Sequence, residues 1–218
     1  ILLVEAMVRT GAALYVPGNH CRKLYRYLNG ADVALEHGLE VTVRELEALP
    51  PRQRHAASDA FRRLYEGTTP YIVLDEGRLV VVHAAIREDM IGRLSKRIES
   101  YCLYGEATGQ RTPEGFPIRR DWAREYSGEA LVVYGHTPMR AAVLRYNTIN
   151  IDQGCVCGGK LTALRYPELE VVQVSAHAAY DPRVAFRDLP PENGASRVLT
   201  AARGSNGLAT ALHGVGRT

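Results

Sequence analysis

Apolar positions are spaced three or four residues apart over most of the first half of the chain, and they form short continuous runs over most of the second half. The first pattern is typical of amphipathic helices, and short apolar runs bounded by Gly, Pro, Asn or Asp indicate buried strands. Because predicted helices dominate early and predicted strands late, we expect an α/β fold of mixed β-sheets flanked by helices. The predicted helices cover 1–9, 22–28, 43–49, 52–67, 87–99 and 121–126, and the predicted strands cover 12–16, 71–74, 79–83, 130–134, 142–145, 148–151, 160–165 and 169–174.

The regular pattern ends after residue 174. Residues 181–218 are rich in Gly, Ala, Ser, Arg and Pro and contain few large apolar side chains. Such a segment buries too little apolar surface to offset the entropy lost on ordering. We therefore predict a domain portion over 1–178 and a linker or disordered tail over 179–218, although a frameshifted or truncated end would have the same composition. Residues 108–118, which contain Gly and Pro, are predicted to form a loop.

Composition narrows the classes of function. The chain has 218 residues, of which 46% are apolar, and this is enough for a sizeable core. A net charge of +3 makes no case for nucleic-acid binding and gives only weak support to an anionic substrate. No apolar run reaches the ~20 residues of a membrane span. Four cysteines without disulfide spacing indicate reduced thiols and predict a cytoplasmic protein.

Polar side chains follow apolar segments at several points where strands are predicted to end. The first motif, Gly-Asn-His, lies between an apolar run and a predicted helix, and the others follow predicted strands. Polar groups at strand ends can converge on one crevice while the strands themselves stay buried. The sequence therefore predicts one shared site. The side chains placed in this way are Asn19, His20, His83, His136 and Asp152.

These residue types suit metal-assisted phosphate chemistry. Two imidazoles and one amide, from His83, His136 and Asn19, are ligands that Mn²⁺ or an iron ion accepts, and they leave positions open for water and phosphate. His20 is a candidate to protonate a leaving oxygen or to hold a phosphate oxygen. Asp152 is a candidate to orient an imidazole through its ring N–H, as carboxylates beside metal ligands do.

Each residue taken alone has a simpler explanation. A single histidine at a strand end is more often a packed or exposed side chain than a ligand. Asn19 could be a helix N-cap, and Asp152 could be a turn residue in Asp-Gln-Gly. The shared context of all the motifs, in order along the chain and each after an apolar segment, favours a site.

Other polar residues are weaker candidates. His37 precedes a glycine in a predicted loop and is a further candidate for the same site. The Cys-x-Cys pair after Asp152 has poor spacing for zinc or a disulfide, so we expect ordinary thiols. Basic side chains could hold the phosphate of a substrate, although basic residues at a surface are usually only solvated. These basic residues are Arg22, Lys23, Arg119, Arg120 and Lys160.

With these motifs in this order, the chain resembles the calcineurin-like metallophosphoesterase superfamily. The resemblance rests on Tyr15–His20, on Gly135–Pro138 and above all on the run 150–168, and it covers roughly 1–174. The longest run makes the resemblance most specific to the phosphatase domain of bacterial polynucleotide kinase-phosphatase. The superfamily fold, a pair of sheets flanked by helices around two bridged metal ions, is what the resemblance implies.

The resemblance also implies roles for the candidate residues. Asn19, His83 and His136 match ligands of the second metal ion, which is expected to be Mn²⁺, with Ni²⁺ or iron as alternatives. His20 matches the catalytic or phosphate-contacting histidine, and Asp152 matches a carboxylate that supports the site. Both are predicted catalytic residues.

The implied reaction is hydrolysis of phosphoesters. Within the kinase-phosphatase family the substrates are 2′,3′-cyclic phosphates and 2′- or 3′-phosphates at nucleic-acid ends in RNA repair, with small phosphomonoesters also fitting such a pocket. That family implies an upstream kinase and a downstream ligase-like domain as neighbours. An alternative within the superfamily is a protein-phosphatase-like enzyme or a dinucleotide-polyphosphate hydrolase.

The sequence departs from the superfamily pattern at its beginning. The motifs Asp-x-His and Gly-Asp-x-x-Asp-Arg, which supply the first metal's ligands, the bridging carboxylate and a phosphate-binding arginine, do not occur in it. We therefore expect an N-terminally truncated domain that is inactive on its own. A further alternative is a catalytically incomplete fragment that binds one metal ion weakly or none.

Overall fold

The structure is a computed structural model, and it describes residues 1–112, 115, 117–181, 186–188 and 197–199. The helices are α1 Leu2–Arg9, α2 Asn19–Leu28, α3 Leu39–Glu47, α4 Pro51–Glu66 and α5 Lys96–Tyr104, with short 3₁₀ turns at Asp75–Gly77, Glu88–Met90 and Trp122–Glu125. The strands are β1 Tyr71–Leu74, β2 Leu79–Val82, β3 Ala107–Arg111, β4 Pro117–Arg119, β5 Leu131–Tyr134, β6 Val143–Arg145, β7 Thr148–Asn150, β8 Asp152–Gln153, β9 Lys160–Arg165, β10 Glu170–Ser175 and β11 Arg197–Val198.

The largest sheet has six strands in the order β1-β2-β5-β7-β6-β11. Its centre, formed by β2, β5 and β7, is parallel, and the outer strands are antiparallel to their neighbours. Val80, Val132 and Ile149, one from each central strand, are completely buried, as is typical of parallel strands covered on both faces. This arrangement places the carboxyl ends of the three central strands at one edge of the sheet.

The two faces of the six-stranded sheet have different partners. Val80 packs into a core with Cys102 of α5 and with Trp122. Leu79 points to the opposite face, because side chains alternate along a strand, and packs into a second core with Val171 of β10. Strand β10 belongs to a three-stranded sheet in the order β10-β9-β8. The predicted fold class, mixed sheets flanked by helices, is therefore confirmed.

Helices α2, α3 and α4 pack around an apolar core of their own. Leu24 of α2, Leu39 and Val43 of α3, and Phe61 of α4 are its buried members. Helix α4 begins at Pro51, where the fixed φ of proline suits a first helical turn. No helix among the described residues is both long enough and apolar enough to span a membrane.

The strand predicted over 12–16 is wrong. Within the described part of the chain these residues pair with no strand, and Leu14 is 66% exposed. The backbone amides of Ala12 and Ala13 donate instead to Met7 O at the end of α1. The apolar run is therefore an extended connection, because no neighbouring strand offers it a ladder of hydrogen bonds.

Two predictions between residues 87 and 118 are also corrected. The helix predicted over 87–99 begins later, as α5, because Ser95 Oγ accepts the Ile98 N–H at 3.1 Å and caps that helix. The predicted loop over 108–118 contains strands instead, since β3 and β4 pair as an antiparallel two-stranded sheet.

Two short pieces of the predicted tail are described, and both pack against the domain. Arg187 N–H donates to Pro138 O at 2.9 Å. Val198 pairs with Val143 of β6, and Leu199 is buried. The division into a domain portion over 1–178 and a linker or disordered tail over 179–218 stays a prediction, because most of 182–218 lies outside the described residues.

Candidate active site

Three strand ends carry predicted side chains to the same edge of the six-stranded sheet. His83 directly follows β2, His136 lies just beyond β5, and Asp152 begins β8 immediately after β7. The Gly135 N–H donates to His83 O at 2.9 Å, so the turns that follow β2 and β5 are joined. These residues converge, as expected from the sequence, because the strands that carry them run parallel.

Asn19 reaches the same place from a helix. Helix α2 begins at Asn19, and Gly18 occupies the N-cap position. Asn19 is therefore in the first helical turn, and the alternative that it serves as the N-cap is wrong. A Cβ atom on Gly18 would lie only 2.9 Å from His83 Cε1, so this approach of the chain to the imidazole requires glycine.

The side chains of Asn19, His83 and His136 meet around one nitrogen atom, and we call these three residues the donor group. His83 Nε2 lies 2.9 Å from Asn19 Oδ1 and 3.0 Å from His136 Nδ1. Donor atoms bound at right angles to one cation, each about 2.1 Å away, lie about 3.0 Å apart. The spacing and chemistry of the donor group therefore fit a divalent cation. Among the described residues, no cluster of three or more His, Cys, Asp or Glu side chains forms a metal site, so the amide is needed as the third donor.

Burial keeps both imidazoles of the donor group neutral. It lowers the pKa of His83 to about 4, with a further contribution from the nearby His20. Burial also lowers the pKa of His136 to about 3, and the next contributions come from His83 and Arg119. Neutral imidazole is the form that binds a metal ion, so at neutral pH these side chains need lose no proton to do so.

Asp152 supports the site through the backbone. Its Oδ1 accepts the Gly154 N–H at 3.0 Å, and its carboxylate also accepts the backbone N–H of His136. Burial raises the pKa of the carboxyl group, and these two hydrogen bonds oppose that rise. The predicted bond from Asp152 to an imidazole ring N–H is not among its contacts in the described residues, so we correct its role to holding the main chain of His136.

The main chain of His136 needs such support. Its φ of +73° lies in the left-handed region, which is uncommon for a residue other than glycine and concentrates at functional sites. Asn150 adds to the support, since its Nδ2 donates to Thr137 O at 3.0 Å and its Oδ1 accepts the Asp152 N–H at 2.7 Å. Asn150 was missed as a supporting residue, although it lies in the run that gives the resemblance its specificity.

The remaining predicted residues lie around the donor group. His20 is exposed beside Asn19, and its pKa is lowered by partial loss of water and by the positive charge of Lys23. His37 interacts electrostatically with His20 and lies 3.8 Å from Glu36. The Cys157 thiol has a raised pKa because of burial and the nearby Asp152.

A cavity of about 190 Å³ opens beside His136. Its walls come from β4, from the 3₁₀ turn at Trp122–Glu125, from the loop after β5, and from residues 186–188, which we call the strap. The lining is strongly basic. Its arginines are Arg119, Arg120, Arg124, Arg145 and Arg187.

The chain is similar to several curated proteins that share one description. No protein-family model matches it. It is 52% identical over 180 residues to the asymmetrical bis(5′-nucleosyl)-tetraphosphatase PrpE of Geobacillus thermodenitrificans, a match that covers 83% of this chain and 74% of the relative. The proteins of the same description from Bacillus cereus and Halalkalibacterium halodurans are 51% and 50% identical, covering 82% and 87% of this chain and 72% and 77% of theirs.

A solved structure supports the fold. The chain superposes with a TM-score of 0.52 on a crystal structure described as a "putative diadenosine tetraphosphatase", covering 79% of this chain and 72% of that one at 22% identity. The narrower resemblance to polynucleotide kinase-phosphatase receives no support from these comparisons, and neither does the expectation that the chain is inactive. The relatives instead show a hydrolase of the calcineurin-like metallophosphoesterase class. The chain belongs to the family of the bis(5′-nucleosyl)-tetraphosphatases PrpE.

Proposed function

We propose that the protein hydrolyses dinucleoside tetraphosphates asymmetrically, releasing a nucleoside triphosphate and a nucleoside monophosphate. The observation that carries this proposal is the donor group at the carboxyl ends of the parallel strands, next to a cavity lined by arginines. The relatives named for this activity support the choice of substrate. In the reaction, the oxygen of water bonds to phosphorus, one bridging P–O bond breaks, and the leaving phosphate oxygen takes a proton.

The donor group is the part of the site that would hold a metal ion. Asn19 Oδ1, His83 Nε2 and His136 Nδ1 are ligands suited to Mn²⁺, with Ni²⁺ or iron as alternatives. When bound, such a cation supplies Lewis acidity toward phosphoryl oxygens. Asp152 and Asn150 contribute by keeping the turn at His136 in its left-handed conformation.

His20 is proposed as the group that contacts the reacting phosphate. It lies in the first turn of α2 next to Asn19 and is exposed, so a substrate bound at the donor group can reach it. As an imidazolium, it would give a proton to the leaving phosphate oxygen, and as a neutral imidazole, it would hold a phosphate hydroxyl. Its exposure distinguishes it from the two half-buried imidazoles of the donor group.

Repair of RNA ends, the main interpretation that the resemblance to polynucleotide kinase-phosphatase implies, is a competing substrate class rather than a second proposal. Its substrates would use the same donor group, but no relative reported above is named for it. The two classes differ in the phosphate chain, since a dinucleoside tetraphosphate presents several linked phosphates and a terminal cyclic phosphate presents one. Substrate profiling therefore separates them.

The test uses the full-length protein with Mn²⁺ and compares diadenosine tetraphosphate with an RNA that ends in a 2′,3′-cyclic phosphate. We expect faster turnover of the tetraphosphate, with ATP and AMP as products resolved by anion-exchange chromatography. Two ADP molecules would show symmetrical cleavage and contradict the proposed position of cleavage. Preferential turnover of the RNA end would contradict the proposed substrate class.

A further inference from the structure

Two of the five arginines around the cavity have acidic partners. Arg145 is buried and forms two hydrogen bonds with Asp121, and Arg120 lies 3.0 Å from Glu106. The charges of these two arginines are therefore balanced. Asp188, an acidic residue of the lining, is likewise engaged by Arg140 at 2.9 Å.

None of the remaining three has an acidic partner within the described residues; Arg124 is exposed, and we call the other two, Arg119 and Arg187, the arginine pair. Both line the cavity and both are only partly exposed. Burial lowers the pKa of Arg119, and the positive charge of Arg187 lowers it further. Both charges also act on His136. Two cations held close together without an anion create a strong positive potential next to the donor group.

The strap holds Arg187 in place through its main chain. Arg187 N–H donates to Pro138 O at 2.9 Å, and Arg187 O accepts the Arg140 N–H at 3.3 Å. The ring of Phe186 packs so closely on Gly154 that a Cβ atom there would lie 2.5 Å from Phe186 Cε1. Because these contacts involve no part of the Arg187 side chain, its guanidinium is left for another role.

The size of the cavity limits what it can accept. Sites for drug-sized ligands have volumes of about 300–1,000 Å³. The cavity beside His136 has about 190 Å³, which favours phosphate groups over a whole nucleoside. Guanidinium groups suit such a ligand, because their N–H donors match phosphate oxygens in pairs.

We propose that Arg119 and Arg187 form a subsite for the phosphates of the polyphosphate chain that lie beyond the one being attacked. This inference rests on the proposed function and names the part of the substrate that the cavity takes. With several phosphates held on one side of the donor group, attack falls near one end of the chain, so the subsite accounts for asymmetrical cleavage. Because the strap holds Arg187 beside the cavity, Arg187 is a residue that determines where along the polyphosphate chain cleavage occurs.

Binding to the metal-free protein tests the subsite without any catalysis. Full-length protein is stripped of metal with a chelating resin and titrated by calorimetry with inorganic orthophosphate, diphosphate and tripolyphosphate. We expect affinity to rise with chain length. Arg187→Gln and Arg119→Gln should each weaken tripolyphosphate binding about 10-fold through loss of a charge-assisted hydrogen bond, with little effect on orthophosphate.

Arg120→Gln is the matched control, because Arg120 neighbours Arg119 and lines the same cavity but is paired with Glu106. It should change tripolyphosphate affinity less than about twofold. Equal affinity for orthophosphate and tripolyphosphate, or an equal loss in all three variants, would overturn the subsite. A thermal melt checks that each variant is folded, and Arg187→Lys serves as a second variant that keeps the charge and should retain more binding than Arg187→Gln.

Kinetics separate failure of the subsite from failure of the proposed function. In the presence of Mn²⁺, Arg187→Gln should raise KM for diadenosine tetraphosphate about 10-fold, a larger effect than its effect on KM for p-nitrophenyl phosphate, which has one phosphate. Hydrolysis of the tetraphosphate by the wild-type protein without chain-length-dependent binding would overturn the subsite alone. Chain-length-dependent binding without hydrolysis of the tetraphosphate would overturn the proposed function and leave the anion site standing.

Discussion

The arginine pair lies beside His136 of the donor group, yet the two regions differ in charge and in construction. The donor group is neutral, half-buried and fixed to the ends of parallel strands and to the first turn of α2. The arginine pair is cationic and comes from β4 and from the strap, which belong to no part of the central sheet. Neutral donor atoms suit a metal cation, and guanidinium groups without acidic partners among the described residues suit a phosphate anion. One small region therefore offers ligands for a metal ion and for a phosphorylated substrate.

A metal ion and a polyphosphate chain need different positional precision from the groups that bind them. Metal ligands tolerate little displacement, and here several hydrogen bonds between main chain and side chain fix the turn at His136. A flexible polyphosphate tolerates more, and a strap held by main-chain hydrogen bonds to one loop is sufficient. Single substitutions in each region test this division.

Removing one imidazole of the donor group should have the largest effect. His83→Ala and His136→Ala are each expected to lower kcat at least about 100-fold, because loss of a ligand exceeds the loss found for residues that only orient ligands. Turnover of both p-nitrophenyl phosphate and diadenosine tetraphosphate should fall. His55→Ala, an exposed histidine on α4, is the control and should keep wild-type rates. Wild-type activity in His136→Ala would sink the ligand assignment.

Removing the carboxylate of Asp152 should have an intermediate effect. Without it, the backbone N–H of His136 loses its acceptor, and the left-handed turn is free to relax. Asp152→Ala should lower kcat about 10- to 100-fold while the affinity for tripolyphosphate stays unchanged. The control is Asp59→Ala, which removes a surface carboxylate on α4. An unchanged kcat in Asp152→Ala would rule out the supporting role.

Adding one methyl group at Gly18 should disturb the donor group more gently. The new Cβ would lie 2.9 Å from His83 Cε1 and 3.0 Å from its Nδ1, so the imidazole must shift. Affinity for Mn²⁺ in Gly18→Ala should fall about 10-fold, since small displacements of a positioned group are costly. Gly67→Ala, whose Cβ would approach Arg63 O at 3.1 Å, is the matched control for strain at a helix end. Equal Mn²⁺ affinity in the two variants would show that the close approach of Gly18 to the His83 imidazole does not affect metal binding.

The smallest effect is expected outside both regions, at Asp75. Arg78 Nε donates to Asp75 Oδ2 at 2.9 Å, and the Tyr166 hydroxyl also donates to this carboxylate; the two contacts lower its pKa to about 2. Because the folded pKa lies below the unfolded value of 3.8, the stabilisation is present above that value and is lost as the pH falls toward 2.

The prediction for Asp75→Asn is a shift in stability that depends on pH. The variant should be less stable than wild type at pH 7, and the difference in denaturation midpoint should shrink between about pH 4 and pH 2. Turnover at pH 7 should be unchanged, because Asp75 contacts neither the donor group nor the arginine pair. A difference in midpoint that is constant over this pH range would refute the linkage.

The sequence could predict the donor group better than the arginine pair for a physical reason. His83 and His136 follow apolar runs that bury themselves as parallel strands, so the pattern of hydrophobic residues also fixes where the next polar side chain goes. No such run precedes Arg187, and its position depends on main-chain hydrogen bonds to the loop after β5. The apolar run that contains Leu14 fails in the converse way. Its pattern predicts a strand, but no strand in the described part of the chain pairs with it, and Leu14 is exposed.

Mn²⁺ binding to the full-length protein tests the division between the two regions most directly, with free Mn²⁺ measured by electron paramagnetic resonance. We predict that His83→Ala loses at least one bound Mn²⁺ per chain or binds it at least about 10-fold more weakly, whereas Arg187→Gln binds Mn²⁺ as wild type does. Mn²⁺ binding that is unchanged in His83→Ala, or lost equally in Arg187→Gln, would contradict the assignment of the cation to the neutral donor group.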